Sequence, residues 1–176
     1  MAESNTISGW AIRYNAPTTI AGAFVEKIAP GAFKSLKDVT LLWSHDGNRP
    51  LARTTSGTLT LRDKGGMGLY FSAELDPENP DAARALSSIG RRDTRGMSFG
   101  FRVLKEEWFD PEDYKKLPER TILEADLFEI SALINPAYLQ SEVDVVRSDT
   151  AMDNAANAMR RVREKAEAAM RLRGII

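Results

Sequence analysis

The alternation of apolar and polar residues predicts β-strands along most of the first 134 residues. It is strictest in segments 57–63 and 68–75, which a Lys-Gly-Gly turn separates, so the two predict a β-hairpin. Further strands are predicted in segments rich in β-branched and aromatic residues: 7–14, 23–28, 38–46, 97–109 and 121–134. Segment 76–90 predicts a helix, because it opens with Pro and Asp, continues with Ala and Leu and ends at glycine.

These elements predict an α+β fold that is mainly β. Seven or eight strands with surrounding helices suit a closed or nearly closed β-barrel. A doubly wound parallel sheet is disfavoured, because strand and helix signals do not alternate as regular βαβ units. The Gly-Asn-Arg-Pro segment 47–50 is expected to end the strand predicted over 38–46.

The C-terminal tail follows a helical pattern instead. Apolar residues recur there at alternating spacings of three and four, as in a heptad seam: Met152, Ala155, Met159, Val162, Ala166 and Ala169. We therefore expect a β-barrel domain over 1–146, a linker over 147–151 and an amphipathic helix over 152–176. The sequence leaves open whether this helix packs on its own domain or forms a detachable or dimerising arm.

Composition narrows the possible functions. The 176 residues are 43% hydrophobic and 28% charged, which is typical of one globular domain. The net charge of −1 gives no general reason to expect nucleic acid as a partner. The chain has no cysteine and a single histidine, which excludes thiolate nucleophiles and zinc sites built on Cys or several His residues. We expect no cofactor, no bound metal, no membrane span and no secretory signal, and hence a cytoplasmic protein.

Ser98 is the first candidate for chemistry. It lies in the segment Arg-Gly-Met-Ser-Phe-Gly-Phe, 95–101, where two glycines interrupt a predicted strand. By alternation, Ser98 shares a face with Gly100 and Arg102, and the apolar side chains point the other way. This pattern predicts an accessible hydroxyl with space beside it. The alternative is a solvent-facing serine without a special role.

His45 and Glu129 are the second and third candidates. The only imidazole lies beside Trp43 on the predicted strand, so a hydrogen-bonded core histidine is the alternative to a catalytic base. Glu129 is the only formal charge on its predicted face of segment 121–134, where an imidazole N–H or an arginine could stabilise it. Serine, histidine and an acid are the groups of an acyl-transfer site. The pattern alone does not decide between these readings.

Six segments carry a family resemblance when they are taken in order. They are GWAIRYN (9–15), FVEKIAPGAF (24–33), LLWSHDGNRPLART (41–54), GLYFSAEL (68–75), MSFGFRV (97–103) and LFEISALINPAY (127–138). Over residues 7–146 the chain resembles the prohead proteases of tailed bacteriophages, capsid maturation proteases related in fold to the herpesvirus assemblins.

The resemblance implies a serine endopeptidase in which Ser98 is the nucleophile and His45 the base. Assemblins use a second histidine as the third residue, and this chain has none to offer. An acid is therefore expected, and Glu129 is our choice. Asp126 and Glu124 are weaker candidates, because alternation places them on the opposite strand face. The side chain of Asp46 should point away from its neighbour His45 if that strand is regular.

The resemblance also implies substrates and partners. They are the major capsid protein precursor with its scaffolding segment, and the protease itself, inside the prohead in the host cytoplasm. A homo-oligomer such as a dimer is expected, without nucleic acid or membrane as a partner. In this picture, Gly96 and Gly100 let a substrate chain lie across the strand. The competing function is a non-enzymatic scaffold or capsid-interior barrel. An esterase is disfavoured, because the serine lies in GMSFG and not in a G-x-S-x-G elbow.

Overall fold

The computed structural model of the protein describes residues 5–113 and 116–134, together with the single residue 164. The strands in chain order are β1 (Thr6–Arg13), β2 (Thr18–Ile20), β3 (Phe24–Ile28), β4 (Thr40–Trp43), β5 (Asp46–Arg53), β6 (Leu59–Asp63), β7 (Gly68–Glu74), β8 (Gly96–Phe109) and β9 (Glu119–Leu133). Helix α1 (Pro80–Gly90) lies between β7 and β8, and a 3-10 turn, Gly65–Met67, joins β6 to β7. In the described part of the chain, no helix is long and apolar enough to cross a membrane.

The strands form two sheets. The smaller sheet is antiparallel and has the order β1-β7-β6. The larger sheet has the order β2-β3-β9-β4-β5, and β8 pairs with the other edge of β9. Strand β9 is therefore central: it runs antiparallel to β8 along its length and parallel to β3 and β4 at its two ends.

Both sheets and the helix contribute to one apolar core. Leu69 and Phe71 come from the smaller sheet, Phe101 and Ile122 from the larger sheet and Ala85 from α1, and each is 3% exposed or less. Burying a Leu, Ile or Phe side chain stabilises a fold by about 1.5–3 kcal/mol. The core therefore fixes which face of β8 and β9 points inward, and it leaves the opposite face for polar residues.

The prediction of a mainly β, α+β fold is confirmed. The hairpin predicted over 57–63 and 68–75 is present as β6 and β7, and the helix predicted over 76–90 is present as α1. No closed barrel is found among the described residues, whose strands divide into two sheets instead. Alternation predicts strands, but pairing partners depend on contacts far apart in sequence. The linker and the C-terminal helix lie outside the described residues, apart from residue 164, and they stay predictions together with the domain boundaries.

The single strand predicted over 38–46 is wrong, because the chain reverses direction within it. Strands β4 and β5 lie on either side of a two-residue turn, Ser44 and His45. Segment 47–50 does not end a strand but lies inside β5, where three extra residues bulge out between consecutive pairs with β4. A Gly- and Pro-bearing segment is compatible with this position, because β5 is the edge strand of its sheet.

A β-bulge changes the phase of β9. Gly100 pairs with Glu129, but the next residue of β8, Phe101, pairs with Leu127, so Phe128 is an extra residue in β9. Leu127 faces the core opposite Phe101, whereas Glu129 lies on the other face opposite Gly100. The predicted shared face of Leu127 and Glu129 is therefore wrong, because simple alternation does not allow for an inserted residue.

One ion pair ties the edge strand β5 to helix α1. The Arg49 Nε donates to Asp81 Oδ1 at 3.0 Å, and both side chains are about a quarter exposed (25% and 28%). The hydrogen bond from Arg49 lowers the pKa of the Asp81 carboxyl below its ordinary value of 3.8. An acid with a depressed pKa in the folded state stabilises the fold above its unfolded pKa, and this contribution is lost as the pH falls.

We predict that Asp81→Asn weakens the acid dependence of stability. The free energy of unfolding of the wild-type protein should fall between about pH 5 and about pH 3, in part because Asp81 becomes protonated. The Asn variant should lose less over the same range, since it has no proton to take up. Urea unfolding at the two pH values measures the difference. Arg49→Gln should weaken the acid dependence of stability in the same way, and the double variant should weaken it no further. Unfolding free energies that fall equally with pH in all four proteins would contradict this account.

Candidate active site

His45 lies in an unusual hairpin turn. Trp43 pairs with Asp46, so Ser44 and His45 are the two central residues of the turn between β4 and β5. Their φ angles are 55° and 60°, the left-handed values of a type I′ turn. Such turns favour Asn-Gly, and a non-glycine residue held in this region costs roughly 1–3 kcal/mol. The expectation that His45 continues a regular strand is therefore wrong.

Strand β9 holds this turn by hydrogen bonds to its backbone. The main-chain N–H of His45 donates to Ser131 Oγ at 2.7 Å. The Ser131 hydroxyl in turn donates to the carbonyl oxygen of Leu42 at 3.2 Å. The N–H of Ser44 donates to the carbonyl oxygen of Ala132 at 3.1 Å. The strained turn is thus fixed to the end of the central strand.

The His45 imidazole contacts Glu129. Nδ1 and Glu129 Oε1 are 2.7 Å apart, and the two side chains are only 21% and 16% exposed. An ionised carboxylate only accepts hydrogen bonds, so Nδ1–H is the donor and Nε2 of the neutral ring carries the free lone pair. The structure therefore brings together the histidine and the acid that the sequence analysis expected to be partners, in the tautomer that leaves Nε2 able to take a proton.

The other acids near this site have different partners. The bulge at Phe128 places Asp126 opposite Arg102, on the same side of the sheet as Glu129, so its predicted position on the opposite face is wrong. Its carboxylate accepts a hydrogen bond from Arg102 at 2.5 Å. Asp46 accepts a hydrogen bond from the N–H of Asn48 at 2.9 Å. Neither acid is placed to orient the imidazole as Glu129 does.

Gly100 provides the space that the Glu129 carboxylate occupies. A Cβ atom at position 100 would lie 2.6 Å from Glu129 Oε1 and 3.1 Å from its Cγ. Contacts under 3.0 Å are essentially never seen for real Cβ atoms. The glycine is therefore explained by the acid across the strand pair, and the substrate chain expected along this strand stays a prediction.

Ser98 lies two residues from Gly100 on the same face of β8. It pairs directly with Ser131, so both serines point to the side of the sheet that carries Glu129. Ser98 is 2% exposed, and the expected accessible hydroxyl is therefore wrong for this state of the protein. Within the described residues, the Ser98 hydroxyl forms no hydrogen bond to the imidazole, although His45 and Ser98 both flank Ser131.

Ser98 and Ser131 lie opposite each other on β8 and β9, and their hydrogen bonds distinguish them. Ser131 is fully buried and uses its hydroxyl on two main-chain groups. The Ser98 hydroxyl forms no such hydrogen bond to the backbone in the described part of the chain. Ser131 is a site residue that the sequence pattern did not predict. The available signal is a hydroxyl two positions after Glu129, in the otherwise apolar end of β9.

A cleft of about 600 Å³ opens beside Glu129. Its walls include the apolar residues Leu42, Leu51 and Phe128 and the polar residues Thr40 and Arg53, so a surface of mixed character leads to the carboxylate. The second carboxylate oxygen, Oε2, is buried and has no hydrogen-bond partner in the described part of the chain. Over those same residues, no group of three or more His, Asp or Glu side chains is arranged to hold a metal ion.

We predict that Gly100→Ala breaks the contact between His45 and Glu129. The added Cβ must displace the carboxylate, because its Oε1 atom lies 2.6 Å from the new position. The deshielded proton resonance of the hydrogen-bonded Nδ1–H should disappear, and it is readily assigned because the chain has one histidine. Gly66→Ala is the matched control, since nothing lies within 4 Å of a Cβ there. An unchanged resonance in Gly100→Ala would contradict this role of the glycine.

Comparisons with known proteins identify the family of the chain. A family model described as caudovirus prohead serine protease matches residues 1–156. No curated protein matches the chain, and no solved structure does. The resemblance to phage prohead proteases is thereby confirmed, whereas the relationship to the herpesvirus assemblins stays a prediction. Because the match covers most of its 176 residues, the chain belongs to the caudovirus prohead serine protease family.

Proposed function

We propose that the protein is a serine endopeptidase that cleaves the scaffolding segment of the phage major capsid protein precursor, and also itself, during prohead maturation. Its catalytic residues in this proposal are Ser98, His45 and Glu129. The observation that carries the proposal is the 2.7 Å hydrogen bond between His45 and Glu129 on the sheet face that also bears Ser98. Membership of the prohead serine protease family supports the same function.

Each of the three side chains has a defined task in the reaction. His45 accepts the hydroxyl proton of Ser98 at Nε2 while the serine oxygen attacks the peptide carbonyl carbon. The imidazolium then protonates the leaving amine, and an acyl-enzyme ester remains on Ser98. His45 next removes a proton from water, which attacks the ester, and returns that proton to the Ser98 oxygen as the new carboxylate leaves. Glu129 stays ionised throughout, orients the ring and stabilises the imidazolium.

Ser98 has to become more accessible before it reacts. The residue is 2% exposed, and its hydroxyl is not hydrogen-bonded to the imidazole in the described part of the chain. Catalytic hydrogen bonds are often long in unbound enzymes and tighten in the substrate complex. Substrate binding is therefore proposed to displace the groups that cover Ser98. The cleft beside Glu129, with Leu42, Leu51 and Phe128 in its walls, is the proposed approach for an apolar part of the substrate.

The competing function is a non-enzymatic scaffold or capsid-interior protein. In that case the ion pair between His45 and Glu129 would serve only the fold. The geometry favours the protease, because the turn brings the only imidazole of the chain onto Glu129, on the sheet face that also bears Ser98. Cleavage of purified capsid precursor by the purified protein separates the two functions directly.

We predict that Ser98→Ala abolishes cleavage of the capsid precursor without unfolding the protein. Removal of one hydroxyl leaves no large cavity, and any rate left above the uncatalysed reaction should be at most about 10³–10⁴-fold. Gel analysis of the precursor measures cleavage, and circular dichroism checks the fold. Ser87→Ala, an exposed serine on α1, is the matched control and should cleave at the wild-type rate. Undiminished cleavage by Ser98→Ala would exclude Ser98 as the nucleophile.

We predict that Glu129→Gln lowers kcat by roughly 10²–10⁴-fold, because a neutral amide neither fixes the required tautomer nor stabilises the imidazolium. The substitution preserves size, so KM should change little. Asp126→Asn is the control, since that carboxylate is paired with Arg102, and it should retain most of the activity. An active Glu129→Gln together with an inactive Asp126→Asn would assign the acid to Asp126.

A further inference from the structure

We propose that Ser131 is a positioning residue for His45: its buried hydroxyl holds the left-handed turn that presents the imidazole to Glu129. This inference rests on the proposed function, because it assigns a task to Ser131 within that site. Ser131 lies at the end of β9, and its relative exposure is 0%.

Both hydrogen bonds of the Ser131 hydroxyl go to the β4–β5 hairpin. Oγ accepts from the His45 main-chain N–H at 2.7 Å and donates to the Leu42 carbonyl oxygen at 3.2 Å. The hydroxyl therefore connects the last part of β4 to the turn that follows it. A serine hydroxyl offers one donor and two acceptor positions, so this arrangement uses its only proton.

The turn needs these hydrogen bonds because its residues, Ser44 and His45, are not those that this conformation favours most. Ser44 and His45 both adopt positive φ angles, which Asn and Gly tolerate best. If the N–H of His45 lost its partner, a partly buried donor would be left unsatisfied and the turn would be less stable in this conformation. A relaxed turn would move the imidazole, since only the Cβ methylene separates the ring from the backbone of that turn.

Strand β9 thereby holds His45 at two points. Glu129 accepts from the ring Nδ1–H and Ser131 accepts from the main-chain N–H, and the two residues are two positions apart on one strand. Residues at this spacing share a face of the sheet. Two fixed points determine the direction of Nε2, whereas the carboxylate alone would leave the ring free to swing about one hydrogen bond.

The same hydrogen bonds make Ser131 unsuitable as the nucleophile. Its only proton is donated to the Leu42 carbonyl oxygen, and one of its two lone pairs accepts from the His45 N–H. Ser98, directly opposite on β8, forms neither of these hydrogen bonds. Ser131 thus acts on the reaction through His45 and does not contact the substrate.

Ser131→Ala should lower kcat for capsid-precursor cleavage roughly ten- to a hundred-fold, while KM stays within about two-fold, because the loss concerns the orientation of the base and not substrate binding. Thr18→Val, which removes another buried hydroxyl from the same sheet, is the control for a general loss of stability and should leave kcat unchanged. If the wild-type protein cleaves the precursor and Ser131→Ala cleaves it with the same kcat, the proposal is overturned.

A double-mutant cycle with Ser44→Asn tests the turn itself. Asparagine adopts positive φ angles more readily than serine, so it should stabilise the turn even without the hydrogen bonds of Ser131. The drop in kcat caused by Ser131→Ala should therefore be several-fold smaller in the Ser44→Asn background than in the wild-type background. Equal drops in both backgrounds would show that Ser131 acts by some route other than the turn, and would overturn the proposal.

A proton NMR measurement keeps this inference separate from the proposed function. The resonance of the single histidine's hydrogen-bonded Nδ1–H should be sharp in the wild-type protein and broadened or lost in Ser131→Ala, whether or not the protein cleaves anything. If no variant cleaves the precursor but the resonance responds in this way, the protease function fails and the positioning role stands. An unchanged resonance in Ser131→Ala would contradict the positioning role.

Discussion

The position of a single histidine between two side chains of one central strand is the constraint on which the site depends. Strand β9 supplies Glu129 for the imidazole and Ser131 for the backbone of His45. The same strand pairs with β8, which places Ser98 directly opposite Ser131. The three groups of the proposed reaction are therefore assembled by strand pairing, on the face of the larger sheet that does not enter the core. Any displacement of β9 relative to β4 would separate the base from its acid.

Two local irregularities make this assembly possible. The extra residue Phe128 shifts the phase of β9, so that Leu127 faces the core while Glu129 faces the site. The absence of a side chain at Gly100 then leaves room for the carboxylate across the strand pair. A regular strand would have placed Glu129 among core residues, where an unpaired carboxylate is costly. Bulges near active sites commonly redirect a side chain in this way.

The sequence predicts local structure well, and long-range geometry less well. The hairpin of β6 and β7 and the helix α1 follow from alternation, turn residues and helix-end signals, all of which lie within a few positions of each other. The two-sheet arrangement depends on distant pairings and could not be predicted from alternation. The sequence predicts a regular strand at His45 because Ser44 and His45 carry no turn signal, whereas β9 stabilises their turn from outside the segment. The partnership of His45 with Glu129 could be expected from the chemistry of a lone acid, but the burial of Ser98 could not.

The central claim is that Ser98 is the one serine whose hydroxyl becomes nucleophilic beside His45. Labelling of the full-length protein with a serine-reactive phosphonate, followed by peptide mass spectrometry, tests it most directly. The account predicts one covalent adduct on Ser98, formed much more slowly in a protein that lacks the Glu129 carboxylate, and no adduct on Ser131. An adduct on Ser131, or unlabelled Ser98 in a preparation that cleaves the capsid precursor, would contradict it.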